Sequence, residues 1–103
     1  MESEYVPVIK TLNILGFKTT KPKHPNSNGT DICAIKENYI LAVEVKRAVR
    51  VKGKNVFRIR GVTKNRQQDN LIAIVFPCGY VLVEPMKDHL KSCNKQGDRF
   101  INL

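Results

Sequence analysis

The spacing of apolar residues changes period several times along the chain, and each change marks an element. Val6, Val8, Ile9, Leu12, Ile14 and Leu15 recur with helical rather than alternating spacing and stop at Gly16. This predicts a helix over residues 4–15 with glycine as its C-terminal cap. Pro7 suits a first turn, where no N–H is needed, so the helix is not expected to be formed already at Glu2. Residues 17–20 suit an edge strand, and residues 21–29 form a loop of turn residues and positive charge.

Residues 32–36 and 39–46 are rich in β-formers around Glu37-Asn38, a two-residue turn in which Asn tolerates φ > 0. A two-residue turn fixes register. With Lys36 facing Tyr39, paired residue numbers keep a constant sum, and Asp31 falls directly opposite Glu44. Leu41, Val43 and Val45 then point into a core, while Glu44 and Lys46 share the other face. Because Leu41-Ala-Val-Glu-Val is largely apolar on both faces, it reads as a central, doubly covered strand.

Beyond it, a cationic segment with Gly53 at its tip leads to residues 56–60, where Arg58 and Arg60 would share one face and Phe57 and Ile59 the other. Residues 62–68 suit a short helix. Residues 70–77 are the most apolar run, a buried strand with its hairpin partner at 80–85 across Cys78-Gly79. A helix over 86–92, a polar stretch and a weakly apolar end at 100–103 complete the chain. The expected architecture is a single α/β domain over residues 1–103, a mixed central β-sheet flanked by helices.

Charge changes the picture more than size does. Lys and Arg number 18 against 9 Asp and Glu, a formal net charge of +9. A folded basic domain points to nucleic acid before other polyanions, and no stretch approaches the roughly 20 apolar residues of a membrane span. Met1-Glu-Ser-Glu does not resemble a signal peptide, so the expected compartment is intracellular: cytoplasm, or host cytoplasm for a viral chain. Cys33, Cys78 and Cys93 are odd in number and widely spaced, which signals neither a disulfide framework nor a zinc site.

Opposed residues on paired strands have Cβ atoms about 5 Å apart, and two carboxylates at that distance repel. A hard divalent cation with oxygen ligands would hold both Asp31 and Glu44. Glu-X-Lys is also a common tripeptide, and a solvated strand face with Asp31 as a turn residue is the alternative. Lys21, Lys23 and His24 lie in the loop just before Asp31 and are candidate phosphate contacts, with a solvated loop as the plain alternative. Arg47, Arg50, Lys52, Lys54, Arg58 and Arg60 complete the candidate nucleic-acid surface.

Gly29-Thr30-Asp31, the short hairpin, and Glu44-Val45-Lys46 after an apolar run, all preceded by a helix ending at Gly16-Phe17, resemble the PD-(D/E)XK nuclease superfamily. The likeness is to small archaeal and viral Holliday-junction resolvases and restriction-endonuclease-like domains, over about residues 4–85. Thr30 stands where the name-giving proline would be. The resemblance implies a restriction-endonuclease-like core and a structure-selective, metal-dependent endodeoxyribonuclease leaving a 5′ phosphate and a 3′ hydroxyl. It implies Mg²⁺ or Mn²⁺ on Asp31, Glu44 and the carbonyl of Val45, with Lys46 positioning water or neutralising charge. An acidic residue from the first helix completes such sites. Glu4 is the match, Glu2 the second choice, and a glutamate that merely favours the helix dipole is the alternative. DNA and a second copy of the chain are the implied partners, with no small-molecule cofactor. A catalytically silent binding module of the same fold, or a non-specific or repair nuclease, are the competing expectations.

Overall fold

The computed structural model describes residues 2–21 and 31–103. Its elements run α1 (Glu2–Ile14), β1 (Lys18–Thr20), β2 (Ile32–Lys36), β3 (Tyr39–Arg47), β4 (Val49–Arg50), β5 (Val56–Ile59), a 3-10 turn (Arg66–Gln68), β6 (Leu71–Val75), β7 (Val81–Pro85), α2 (Met86–Lys91) and β8 (Arg99–Asn102). The main sheet has the order β1-β2-β3-β6-β7, with β3 and β6 parallel and the other pairs antiparallel. Strands β4, β5 and β8 form a second, antiparallel sheet.

β3 is the central strand of a sheet that separates two cores. Val43 and Val45 join Val8 and Leu12 of α1 and Ala73 of β6 on one side. Ile72, Ile74, Phe76, Ile59, Ala48 and Met86 fill the other side, against α2 and the second sheet. Apolar cover on both faces is what leaves Glu44 only 2% exposed.

Two local expectations are corrected. The helix is already formed at Glu2, with Pro7 well inside it. An interior proline costs a helix about 3 kcal/mol. Full burial of Val8 and Leu12, at about 2 kcal/mol each, outweighs that local penalty. The end is as expected: Gly16 adopts φ +96°, its N–H donates to the Asn13 carbonyl, and the Phe17 N–H reaches back to Leu12. In the hairpin the positive φ of +54° falls on Glu37 rather than Asn38. Loop length alone sets the pairing, so Lys36 still faces Tyr39 and Ile32 faces Val43.

The second sheet is larger than the periodicity implied, because residues 99–102 pair with β5 as β8 instead of trailing as a weakly apolar end. Arg99 anchors that strand to the main body. Its guanidinium contacts Glu84 at the end of β7 and donates to Nδ1 of the fully buried His89 at 3.1 Å. Burial, and secondarily the charge of Lys46, hold His89 below its ordinary pKa, so the ring is a neutral acceptor. Replacing Arg99 with Met strands Glu84 and is expected to lower stability by about 2–3 kcal/mol in urea unfolding. A change within about 0.5 kcal/mol would show that this pair does not hold β8 in place.

Candidate functional site

The hairpin register delivers Asp31, at the mouth of β2, to Glu44 in β3. Asp31 donates its N–H to the Val43 carbonyl at 3.2 Å, and its Oδ2 accepts the Val45 N–H at 2.9 Å. Since a strand residue sends N–H and C=O from the same edge, the Val45 carbonyl is directed toward Asp31 as well. Tyr5 of α1 donates its hydroxyl to Asp31 Oδ1 at 3.2 Å. From the 3-10 turn, Arg66 places one nitrogen, Nη1, 2.9 Å from both Asp31 Oδ1 and Glu44 Oε1.

The two carboxyls, bridged by Arg66, are driven apart in proton affinity. Burial, then the Asp31 hydrogen bond and charge, push Glu44 up to about 8 against the partial relief of Arg66. Burial also opposes ionisation of Asp31, but the hydrogen bonds from Glu44, the Val45 amide and Arg66 together hold it below its ordinary value. Of the two, Asp31 is therefore the stronger acid and Glu44 the group that gives up its proton last. Burial and the adjacent Asp31 keep the Tyr5 phenol protonated as a donor.

Lys46 lies on the Glu44 face of β3, but its ammonium donates to the Gly61 carbonyl at 3.3 Å and its charge is felt by His89. Glu4 is not brought to the carboxylate pair. α1 packs on the face of Val43 and Val45, so Glu4 meets Arg47, which continues that face, while Glu44 projects from the opposite one. Among the described residues no group of three His, Cys, Asp or Glu side chains is placed to hold a metal ion. Lys23 and His24, together with Gly29 and Thr30 of the motif and the side chain of Glu2, lie outside the described residues.

Arg47, Arg50, Lys52, Lys54, Arg58 and Arg60 are all exposed, as is Lys21. Arg50, Arg58 and Arg60 line a groove of about 310 Å³ over the second sheet with Val49, Val51 and Phe100. Arg58 is steadied there by Asp98 at 2.6 Å, and Arg50 by the Lys54 carbonyl and Asn55 at 3.0 Å.

Tyr5 and Arg66 are the residues that sequence reasoning missed. Tyr5 was findable: positions 5, 8 and 12 are an i, i+3, i+7 stripe that contains the fully buried Val8 and Leu12. Arg66 carried no local signal beyond the need of two facing acids for a cation.

This donor set suits a hard divalent cation. Two acidic side chains that both accept from a single guanidinium nitrogen already recruit positive charge from the chain.

No family model matches the sequence, and no curated protein matches it either. Among solved structures, the fold is similar to that of a bacterial homing endonuclease, with a TM-score of 0.81 at 14% identity, over 99% of this chain and 72% of that one. The likeness establishes a fold that a nuclease uses.

The raised pKa of Glu44 has a sign that can be measured. Its contribution to folding is fully present below about pH 4.5 and is lost as pH rises toward about 8. His89, shifted down, works the other way below its ordinary value, and Asp31 acts only in acid. The difference between wild type and Glu44→Gln isolates the term. Without divalent ions, wild-type Tm is expected to fall relative to Glu44→Gln between pH 5 and pH 8. A pH-independent difference would contradict the buried carboxyl pair.

Proposed function

We propose that the protein is a metal-dependent endonuclease acting on DNA, of the PD-(D/E)XK kind. The observation that carries this reading is the buried Glu44 held against Asp31 on a central strand, with Lys46 two residues on. Asp31 and Glu44, with the Val45 carbonyl, would hold Mg²⁺ or Mn²⁺. A cation bound there would stabilise charge on the phosphoryl oxygens and lower the pKa of a coordinated water. Lys46, on the same face, is close enough along the strand to neutralise charge developing at the phosphate once it leaves the Gly61 carbonyl. Tyr5 and the Val45 amide orient Asp31.

Binding is assigned to a different surface, the exposed cations of β3 to β5 and the groove over the second sheet. Contacts of this kind track the phosphate backbone and read no sequence by themselves. The finer reading is a homodimer that selects branched or distorted DNA, since those contacts reward backbone shape. Tyr80 and Leu103, each more than half exposed and outside that groove, are the apolar side chains offered to a second copy. The likeness to a homing endonuclease favours a second reading, cleavage of plain duplex. Equal cutting of duplex and four-way junction would select it.

Asp31→Asn, Glu44→Gln and Lys46→Ala are each expected to abolish Mg²⁺-dependent cleavage of supercoiled DNA while leaving DNA affinity within a few-fold. Glu4→Gln, on the other face of the sheet, is expected to cut. Wild-type cutting by any of the first three would remove that residue from the site.

Affinity is expected to fall steeply with salt. With about six phosphate contacts the log-log slope should be about −5. A slope near zero would show that the basic surface does not bind nucleic acid.

A further inference from the structure

We propose that Arg66 is a built-in counter-ion of the cation site, occupying the space between Asp31 and Glu44 in the cation-free protein and yielding it by exchange when a divalent ion binds. The inference rests on the metal-site reading above. Its starting point is an unusual contact. An arginine recruited to stabilise one carboxylate commonly uses two nitrogens in a parallel fork. Here a single nitrogen, Nη1, touches one oxygen from each of two carboxylates at 2.9 Å. That is how a small cation sits between two anions.

The surroundings distinguish what is fixed from what can leave. Glu44 is buried, and Asp31 is pinned by Tyr5 and by the Val45 amide. Arg66 belongs to a 3-10 turn of three residues, none of them buried, whose N-cap residue Asn65 makes no side-chain capping bond. Its side chain is 34% exposed. The acids are held by the sheet and the cation is the movable partner. Arg66 thereby relieves the carboxylate repulsion that an unloaded site would impose on the fold, and it sets a threshold: a divalent ion has to outcompete it, so weakly held ions are excluded.

A structural arginine and a competing one differ in the sign of their effect on metal binding. Loss of a structural support loosens the site and weakens binding, whereas loss of a competitor tightens it. Mn²⁺ titration by calorimetry of the full chain, as wild type, Arg66→Ala, Arg66→Gln, Arg66→Lys and Asp31→Asn, tests the sign directly. The expected result is Mn²⁺ binding at least about tenfold tighter in Arg66→Ala and Arg66→Gln than in wild type, equivalent to about 1.4 kcal/mol. Wild-type-like affinity in Arg66→Lys, which restores a competing charge, and loss of binding in Asp31→Asn should accompany it. If Arg66→Ala does not fold, Arg66→Gln, which keeps a hydrogen-bonding side chain of similar reach, decides. Equal or weaker Mn²⁺ binding in the folded neutral variants, with wild type binding normally, would overturn the counter-ion role and leave the metal-site reading standing. No binding in wild type or in any variant would overturn both.

Discussion

A carboxylate in a doubly covered strand is costly to bury, and the structure around Glu44 is organised by how that cost is met. Burial in a low-dielectric interior disfavours the charged form, so Glu44 either holds a proton or finds a cation. The chain supplies both remedies. Asp31, placed opposite by a two-residue turn, is the stronger acid and leaves Glu44 the later to give up its proton, and Arg66 arrives from a distant turn with a guanidinium for the pair. A stability-driven sheet would place a valine at position 44, as it does at 43 and 45 on the other face. Under the proposed function, the acid is retained for a cation that the two carboxylates hold better than they hold the Arg66 guanidinium.

The two-core arrangement turns one strand into a boundary between tasks. Odd positions of β3 pack against α1 and carry on to Arg47, which pairs with Glu4 away from Asp31 and Glu44. Even positions carry Glu44 and Lys46 toward the side enclosed by the 3-10 turn, α2 and the second sheet. The basic groove over β4, β5 and β8 lies beyond the end of that strand, so in the proposed nuclease backbone contacts and bond breaking fall on neighbouring but separate surfaces.

Much of this was legible in the chain because it is local or strictly periodic. The hairpin register needed only the turn length, and the central position of residues 41–45 needed only their apolar character on both faces. What escaped detection depends on contacts between distant segments. Strand β8 is a strand because β5 lies beside it, and its own residues alternate too weakly to announce it. Pro7 argues locally for a later helix start, while the burial of Val8 and Leu12 that overrides it is tertiary. Arg66 was invisible for the same reason: it lies 35 positions from Asp31 and 22 from Glu44, in a polar turn like many others.

The central claim, that Asp31 and Glu44 are paired in order to hold a divalent cation, is tested most directly by anomalous diffraction from crystals grown with Mn²⁺. The account requires an anomalous peak between Asp31 Oδ1 and Glu44 Oε1, at the distances of about 2.0–2.2 Å usual for carboxylate ligands of a small divalent ion, with the Arg66 guanidinium withdrawn from its bridging position. Crystals grown with millimolar Mn²⁺ in which Arg66 still bridges the two acids and no anomalous density lies between them would contradict it.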